Sequence, residues 1–476
     1  MPRSWTSAPD LHLDIDLAGS RGRRVGLERA LRDAVHDGRL PAGTVLPSSR
    51  ALAQDLNISR GTVVEAYAQL VAEGYLHTRP GAVTVVAENG TAAPTEAREP
   101  PRLERVRVDL RPGWLDIAAT FPRAEWLRAE RAVMHTEPDE VFDYSDQRGR
   151  PELRAAVASY LGRARGVVTA PDNVVICAGF AHGLSLVARA LRLSGEESVA
   201  MEDPCNPVHR DIVRAQGLGV SPLPVDDAGA QTQALEALGT QAVVLTPAHQ
   251  YPTGGTLHPS RRSDVVRWAK AVGGVVIEDD YDGEFRYDRQ PVGAVQGLDP
   301  EHVVYAGTTS KTLAPGIRVG WLVLPKRLVE PVLEAVRFGI ATPSALQQLV
   351  LARLMSGGHL DRQLRRLRGG YRARRDALVS ALAAALPSLR PAGIAAGLHV
   401  LVYLTGIGAD EATVRAVAYR HSIGLGYLSP YWHDPAEHDQ GILVGYARPA
   451  AVAFDDAVRE LVEILRIASG TNRSVA

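Results

Sequence analysis

Apolar positions near the start of the chain recur at helical spacing in three short stretches. Leu27, Leu31 and Val35 stand at i, i+4 and i+8 and predict a helix over residues 25–37, stopped by Gly38 and Pro41. Pro47 and Ser48 open a second helix, RALAQDL, which ends at Asn57. Ser59 can cap a third, from Arg60 to about Glu73, with Val63, Tyr67, Leu70 and Val71 as its apolar stripe and Gly74 as its stop. Two short β-rich runs, YLHT and VTVVA, then flank Pro80-Gly81 as a hairpin. Three helices and a hairpin within 21–87 make a winged helix.

Residues 88–107 carry Pro, Ala and charge without periodicity and are expected to be a linker, and 1–20 an N-terminal extension. Beyond the linker, apolar runs alternate with helical patterns. Strands are predicted at 173–178, 198–202, 242–246, 275–279, 303–307 and 320–324. Their continuous Val and Ile content suits a mostly parallel sheet covered by helices on both faces. Long helical segments follow Leu346, and HVLVYL and ILVGYA predict strands of a smaller C-terminal α+β subdomain. The large α/β domain is expected over 108–470.

Composition narrows the possible roles. With 476 residues at least two domains are expected, and 45% hydrophobic with 22% charged residues fits a soluble globular protein. A formal net charge of −1 argues against wholesale coating of nucleic acid; residues 1–87 hold ten Arg, no Lys and nine acids. Any DNA contact must come from local Arg placement. No apolar run reaches the roughly 18 residues that span a bilayer, and MPRSWTSAPDLHLDID lacks a signal peptide's apolar stretch, so the cytoplasm is the expected location. Two distant cysteines, Cys177 and Cys205, support neither a disulfide framework nor a zinc site, and no metal is expected. Only three of the 53 basic residues are Lys: Lys270, Lys311 and Lys326. Where Arg serves for charge almost everywhere, a remaining Lys raises the question whether an amine is needed.

The segment PSSRALAQDLNISRGTVVEAYAQLVAEGYL (47–76) has the pattern of a helix-turn-helix, with Asn57-Ile58-Ser59 as its turn. Arg60 and Thr62 start the third helix, whose N-terminal residues would meet base edges in the major groove. Ser59 and Thr62 hydroxyls suit phosphate or base contacts, and Arg50 and the wing's Arg79 suit the backbone. The segment resembles the winged helix-turn-helix of GntR-type regulators. One departure is Val83, where that family usually has a second Gly in the wing.

A second group of residues sits at predicted strand ends, where open α/β sheets place ligands. VVIEDDYDGEFRY brings Asp279 and Tyr281; VVYAGTTSKTLAPGIRVGW brings Thr308, Ser310, Lys311 and Arg318. Upstream, the strand-to-helix turn of CAGFAHGL offers Gly179, Phe180 and Ala181 to a phosphate, and TPAHQYPTGG supplies a rigid Pro-Gly loop. Pyridoxal phosphate asks for such a set: an amine, a carboxylate at the ring nitrogen, a hydroxyl at the ring oxygen, and amides, hydroxyls and an Arg around the phosphate.

Residues 108–470 resemble a fold-type-I aminotransferase, and the fusion to a GntR-type head resembles the MocR subfamily of regulators. The resemblance implies Lys311 as the Schiff-base Lys, Asp279 at the ring nitrogen and Tyr281 at the ring oxygen. It implies Thr308, Ser310 and Arg318 around the phosphate, and a head-to-tail homodimer. Two departures stand out. MEDPCNPV has Asn206 where the family usually has a Tyr that stacks on the cofactor, and GILVGYA has Leu443 where aminotransferases place an Arg for the substrate carboxylate, with Arg448 nearby. The expectation is a regulator that binds double-stranded DNA and pyridoxal phosphate and senses a small effector: the cofactor, an amino acid or an amine. The rivals are a working aminotransferase with an accessory head and a regulator whose large domain serves only to dimerise.

Overall fold

The structure, a computed structural model, describes residues 22–79, 83–88, 106–143, 146–288, 292–339, 342–389 and 391–470. The expected extension 1–20, residues 89–105 of the expected linker and the Pro80-Gly81 turn lie outside them. The chain divides into two units, Met1–Glu104 and Arg105–Ala476.

In the first unit, helices α1 (Gly22–His36), α2 (Ser49–Asp55) and α3 (Arg60–Ala72) precede strands β1 (Leu76–Arg79) and β2 (Val83–Val86). The strands pair antiparallel, Leu76 opposite Val86. Leu27, Leu31, Leu52, Val63, Tyr67 and Leu70 meet in one core, and the Tyr67 hydroxyl donates to the Pro47 carbonyl at 3.0 Å. Val71, expected in the α3 stripe, is instead exposed, and Ala66 takes its place. At 100° per residue, positions 63, 66, 67 and 70 share a face, while 71 has drifted off it.

In the second unit the strands are β3 (Val108–Asp109), β4 (Val174–Cys177), β5 (Ser198–Asp203), β6 (Gly219–Asp226), β7 (Gly229–Ala230), β8 (Ala242–Leu245) and β9 (Val275–Asp280). There follow β10 (Val303–Thr308), β11 (Gly320–Val323), β12 (His399–Tyr403), β13 (Ile423–Gly424), β14 (Gly426–Tyr427) and β15 (Gly441–Gly445). Eight of these form one sheet in the order β4-β11-β10-β9-β8-β5-β6-β7. The pairs from β10 through β9, β8 and β5 to β6 are parallel; β11 runs antiparallel to both its neighbours. Alternate side chains feed separate cores on the two faces: Ile176, Tyr305 and Trp321 on one, Val175, Ala306 and Leu322 on the other. That double burial is why these strands read as unbroken apolar runs.

Strand β6 had no counterpart in the sequence pattern, because GVSPLPVD carries two prolines. It pairs fully with β5 but meets only two-residue β7 through Val225 and Asp226, so Pro222 and Pro224 sit where the outward side of the strand needs no ladder partner. Helices Ala345–Ser356 and His359–Ala385 lead into the smaller sheet, ordered β12-β15-β14. No helix among the described residues is long and apolar enough to cross a membrane.

Beside the turn at Gly179 the sheet brings backbone unusually close to backbone. A Cβ on Gly320 of β11 would lie 2.7 Å from the Gly307 carbonyl oxygen and 2.8 Å from the Cα of Gly179. These are backbone atoms and cannot turn aside. Gly320→Ala should therefore destabilise the second unit by about 1–3 kcal/mol, as overpacking typically does; thermal unfolding that matches the parent protein would show that the Gly179 turn has room to move.

Candidate cofactor pocket and nucleic-acid interface

Parallel strands β8, β9 and β10 end on one side of the sheet, and a cavity of about 390 Å³ opens there. All nine residues that the sequence assigned to a cofactor line it: Gly179, Phe180, Ala181, Asp279, Tyr281, Thr308, Ser310, Lys311 and Arg318.

Lys311 follows β10 in a turn held by Thr309, whose amide and hydroxyl both donate to the Val319 carbonyl. Its amine donates to the Gly113 carbonyl at 2.9 Å. Burial holds its pKa below the usual lysine value, against the opposing pull of Asp282 and Asp279. Beside it, the Thr308 hydroxyl donates to Ser310 Oγ at 2.9 Å and accepts from the Ser310 amide at 3.1 Å. A Cβ on Gly179 (φ +98°) would lie 3.6 Å from Thr308 Oγ1 and 3.9 Å from Ser310 Oγ. Gly179 also caps the helix Phe180–Leu193 without any side-chain bond to its first amides. Open amides, two hydroxyls and the Arg318 guanidinium thus converge in one corner, a setting suited to a phosphate dianion.

Across the cavity, alternation along β9 decides which acid faces where. Glu278 accepts from the Val295 and Gln296 amides; Asp280 takes Arg165 Nε at 2.6 Å and the Tyr305 hydroxyl at 2.7 Å. Asp279 faces the cavity, and its Oδ1 is buried without a hydrogen-bond partner. Burial, with Asp280, Asp282 and Glu202 nearby, pushes its pKa well above the ordinary carboxylate value. Tyr281 Oη lies 3.1 Å from His249 Nδ1, which is itself 2.9 Å from Asp282 Oδ2. In the tautomer with the proton on Nδ1, the imidazole donates a hydrogen bond to the Asp282 carboxylate. The Tyr281 hydrogen is then left free to point elsewhere.

Several lining residues escaped the sequence reading. Glu202 of β5 accepts from the Thr246 amide, the Thr246 hydroxyl and Gln250, and burial lifts its pKa to about 7. Tyr251 and His399 line the wall, as does Tyr431, which reaches the cavity from a loop nearly two hundred residues further on. Tyr251 lies within TPAHQYPTGG, so a signal for it existed; nothing in the local pattern marks Tyr431. The departures noted in the sequence also find their places. Asn206 caps the helix Pro207–Ala215 through Val208 N, and Leu443 is fully buried. Arg448 does not line the cavity: its Nε bonds Asp109 Oδ2 at 3.1 Å and its guanidinium lies 4.7 Å from the Trp114 ring centre. Cys177 and Cys205 are buried and free.

In the first unit Ser59 caps α3, accepting from Thr62 N at 3.1 Å, and its hydroxyl lies 2.8 Å from that of Thr62. Arg60 is exposed at the helix start, with Nε 3.4 Å from Ser49 Oγ, and Arg50 is exposed on α2. The Arg79 side chain lies outside the described residues.

Comparison with known proteins gives this pair of units a family. Residues 24–86 match the family described as bacterial regulatory proteins, gntR family, and residues 114–425 match aminotransferase class I and II. The chain is 33% identical to the pyridoxine biosynthesis transcriptional regulator PdxR of Corynebacterium glutamicum, across 88% of its own length and 91% of that protein's. The chain belongs to the GntR-type transcription regulators that carry an aminotransferase domain. To the probable rhizopine catabolism regulatory protein MocR of Rhizobium meliloti this regulator is 32% identical, over 88% of its length and 89% of that protein's. In fold its second unit is similar to solved aminotransferases. An archaeal alanine:glyoxylate aminotransferase superposes with a TM-score of 0.68 at 24% identity, covering 76% of the regulator and 91% of the enzyme. An α-aminoadipate aminotransferase of Thermus thermophilus gives 0.68 at 23%, covering 78% and 94%.

The buried acids of the pocket make stability depend on pH. A carboxyl whose folded pKa is raised binds more protons folded than unfolded between the two values, so stability falls as pH climbs through that window. For Glu202 the window runs from about 4.5 to about 7. Glu202→Gln removes this contribution. Its unfolding free energy relative to the parent should rise by on the order of 2 kcal/mol between pH 5 and pH 8; a difference independent of pH would mean that Glu202 is not the group that titrates.

Proposed function

We propose that this regulator holds pyridoxal phosphate at Lys311 and couples the state of that cavity to its grip on operator DNA. The observation that carries the reading is Asp279 Oδ1, a buried acceptor with no donor, in the same cavity as a buried lysine amine and an open phosphate corner. A protonated ring nitrogen would supply the missing donor and draw Asp279 back to its ionised form. Tyr281, with its hydroxyl hydrogen not consumed by His249, would donate to the ring oxygen. Gly179, Phe180 and Ala181 would offer amides, Thr308 and Ser310 hydroxyls, and Arg318 its charge to the phosphate. Bound there, the cofactor supplies an aldehyde that condenses with amines and a ring that withdraws electrons. Burial lowers the Lys311 pKa, which favours the neutral, nucleophilic form of the amine.

The GntR-type head supplies the output. Arg60, at the exposed start of α3, reads a base edge; Ser59 and Thr62 serve first as the helix cap, and Arg50 and Arg79 steady the head on phosphates. The regulator works as a homodimer, a reading supported by the exposed apolar Leu127, Met134 and Phe142 of the second unit. A working aminotransferase is less favoured, because Leu443 is a buried leucine where a substrate carboxylate would want a guanidinium.

Two experiments test this reading. Borohydride reduction of the cofactor-loaded protein should fix the cofactor on Lys311, and Lys311→Ala should abolish the visible absorption band; label on Lys270 or Lys326 would overturn the assignment. For the head, Arg60→Ala should weaken specific binding more than binding to random DNA, by about 1–3 kcal/mol for a bidentate contact. Arg79→Ala should weaken both about equally and lower the salt slope by roughly one unit. Equal losses on both DNAs for Arg60→Ala would reduce it to a phosphate contact.

A further inference from the structure

Strands β12 and β15 present one face of the small sheet to the cavity. His399 of β12 lines it, and on the same face His399 stands opposite Gly445 and Leu401 opposite Leu443. A side chain at 443 therefore projects from the wall through which a long cation would reach a ligand. Leu443 instead packs with Leu401 and Leu428 in a small apolar cluster, with Tyr431 and Trp432 over it.

Among the described residues that line the cavity, the charges sort by end. Arg318 stands with Gly179, Thr308 and Ser310 at the phosphate corner. The two lining imidazoles offer no positive charge: burial takes His209 down to about 4 and His399 to about 3, and His399 Nε2 is already 3.1 Å from the Pro252 carbonyl. The remaining wall carries acid and rings. Glu202 lines it, and Tyr251 meets the rings of His399, Tyr431 and Tyr281 nearly edge-on, at centre distances of 5.0, 5.4 and 5.7 Å. Ring faces and hydroxyls suit an alkyl chain or a cation. A carboxylate placed there would be desolvated with no counter-charge among the described lining residues of that wall.

We propose that the effector of this regulator is a primary amine without a carboxylate, seated with its amine at Lys311 and its chain against the Tyr251–Tyr431 wall. The proposal rests on the reading that Lys311 holds the cofactor. The exchange is amine for amine: the carbon–nitrogen double bond to Lys311 breaks as that to the ligand forms. The lysine leaves as a free amine, and no oxidant or reductant takes part. Selectivity lies in the far end of the ligand, which meets apolar and aromatic surface where an acid would need an Arg.

The test is a titration of the full chain, loaded with pyridoxal phosphate, followed by its visible absorption at pH 8. Butan-1-amine and butane-1,4-diamine are compared with 4-aminobutanoate, which has the same reach and nearly the same amine basicity. The two amines should perturb the spectrum at concentrations at least about tenfold lower than 4-aminobutanoate. Leu443→Arg should lower the concentration of 4-aminobutanoate required by about tenfold or more; should that variant not fold, the ranking in the parent protein still decides. An equal or tighter response to 4-aminobutanoate, or no response to either amine, overturns the proposal while leaving the cofactor reading intact. Absence of the visible band before any ligand is added, or cofactor fixed elsewhere than Lys311, overturns the cofactor reading and the proposal with it.

Discussion

The second unit is organised around acids that it cannot leave in a dry interior unattended. Glu278, Asp279, Asp280 and Asp282 follow one another at the end of β9, and Glu202 adds a fifth carboxyl from β5. Unpaired buried carboxylates are costly, so each needs a donor or a proton. Arg165 and the Tyr305 hydroxyl serve Asp280, two backbone amides serve Glu278, and His249 serves Asp282. Two oxygens of this group, Asp279 Oδ1 and Asp282 Oδ1, are buried with no donor; of the two residues Asp279 lines the cavity, and its unmet demand gives the cavity its chemical character.

The supports of this cluster reach well beyond the pocket. Arg165 comes from the end of a helix, yet its guanidinium is almost wholly buried against β9. A Cβ on Gly283 would lie 2.1 Å from Asp280 Oδ1, and one on Gly397 2.2 Å from His249 Cε1. The glycines are therefore part of the electrostatic arrangement: they let the charged groups come together without intervening atoms. At Gly179 and Gly320 the missing side chains instead let backbone approach backbone, beside Thr308 and Ser310.

Sensing and catalysis ask different things of such a cavity. A catalyst must hold its substrate's acid group firmly so that the reacting atoms are oriented. Among the described residues the wall around Leu443 offers no cation, whereas Lys311, Asp279, Thr308, Ser310 and Arg318 line one cavity. A ligand that exchanges with Lys311 can then bias the protein only by binding its two states unequally. Any such bias must act in both directions, from cavity to operator and from operator to cavity.

Much of this was legible in the sequence, for identifiable reasons. Helical periodicity, the Ser48 and Ser59 caps and the glycine stops are local properties, so α1 to α3 emerged with ends within a few residues. The six strands buried on both faces announced themselves as apolar runs. Scarcity of lysine singled out Lys311, and the strand-end rule placed Asp279, Tyr281 and the Thr308–Lys311 turn. What the sequence could not determine was whatever depends on a partner distant along the chain. β6 hides behind two prolines that only its outer position in the sheet makes tolerable. Tyr431 and His399 reach the cavity from strands and loops of another sheet, and the rise in the Glu202 pKa comes from its burial beside Thr246 and Gln250. Local pattern determines which elements form and which residues carry chemistry; only packing decides which charges lose water, and so which of those residues are left in need of a ligand.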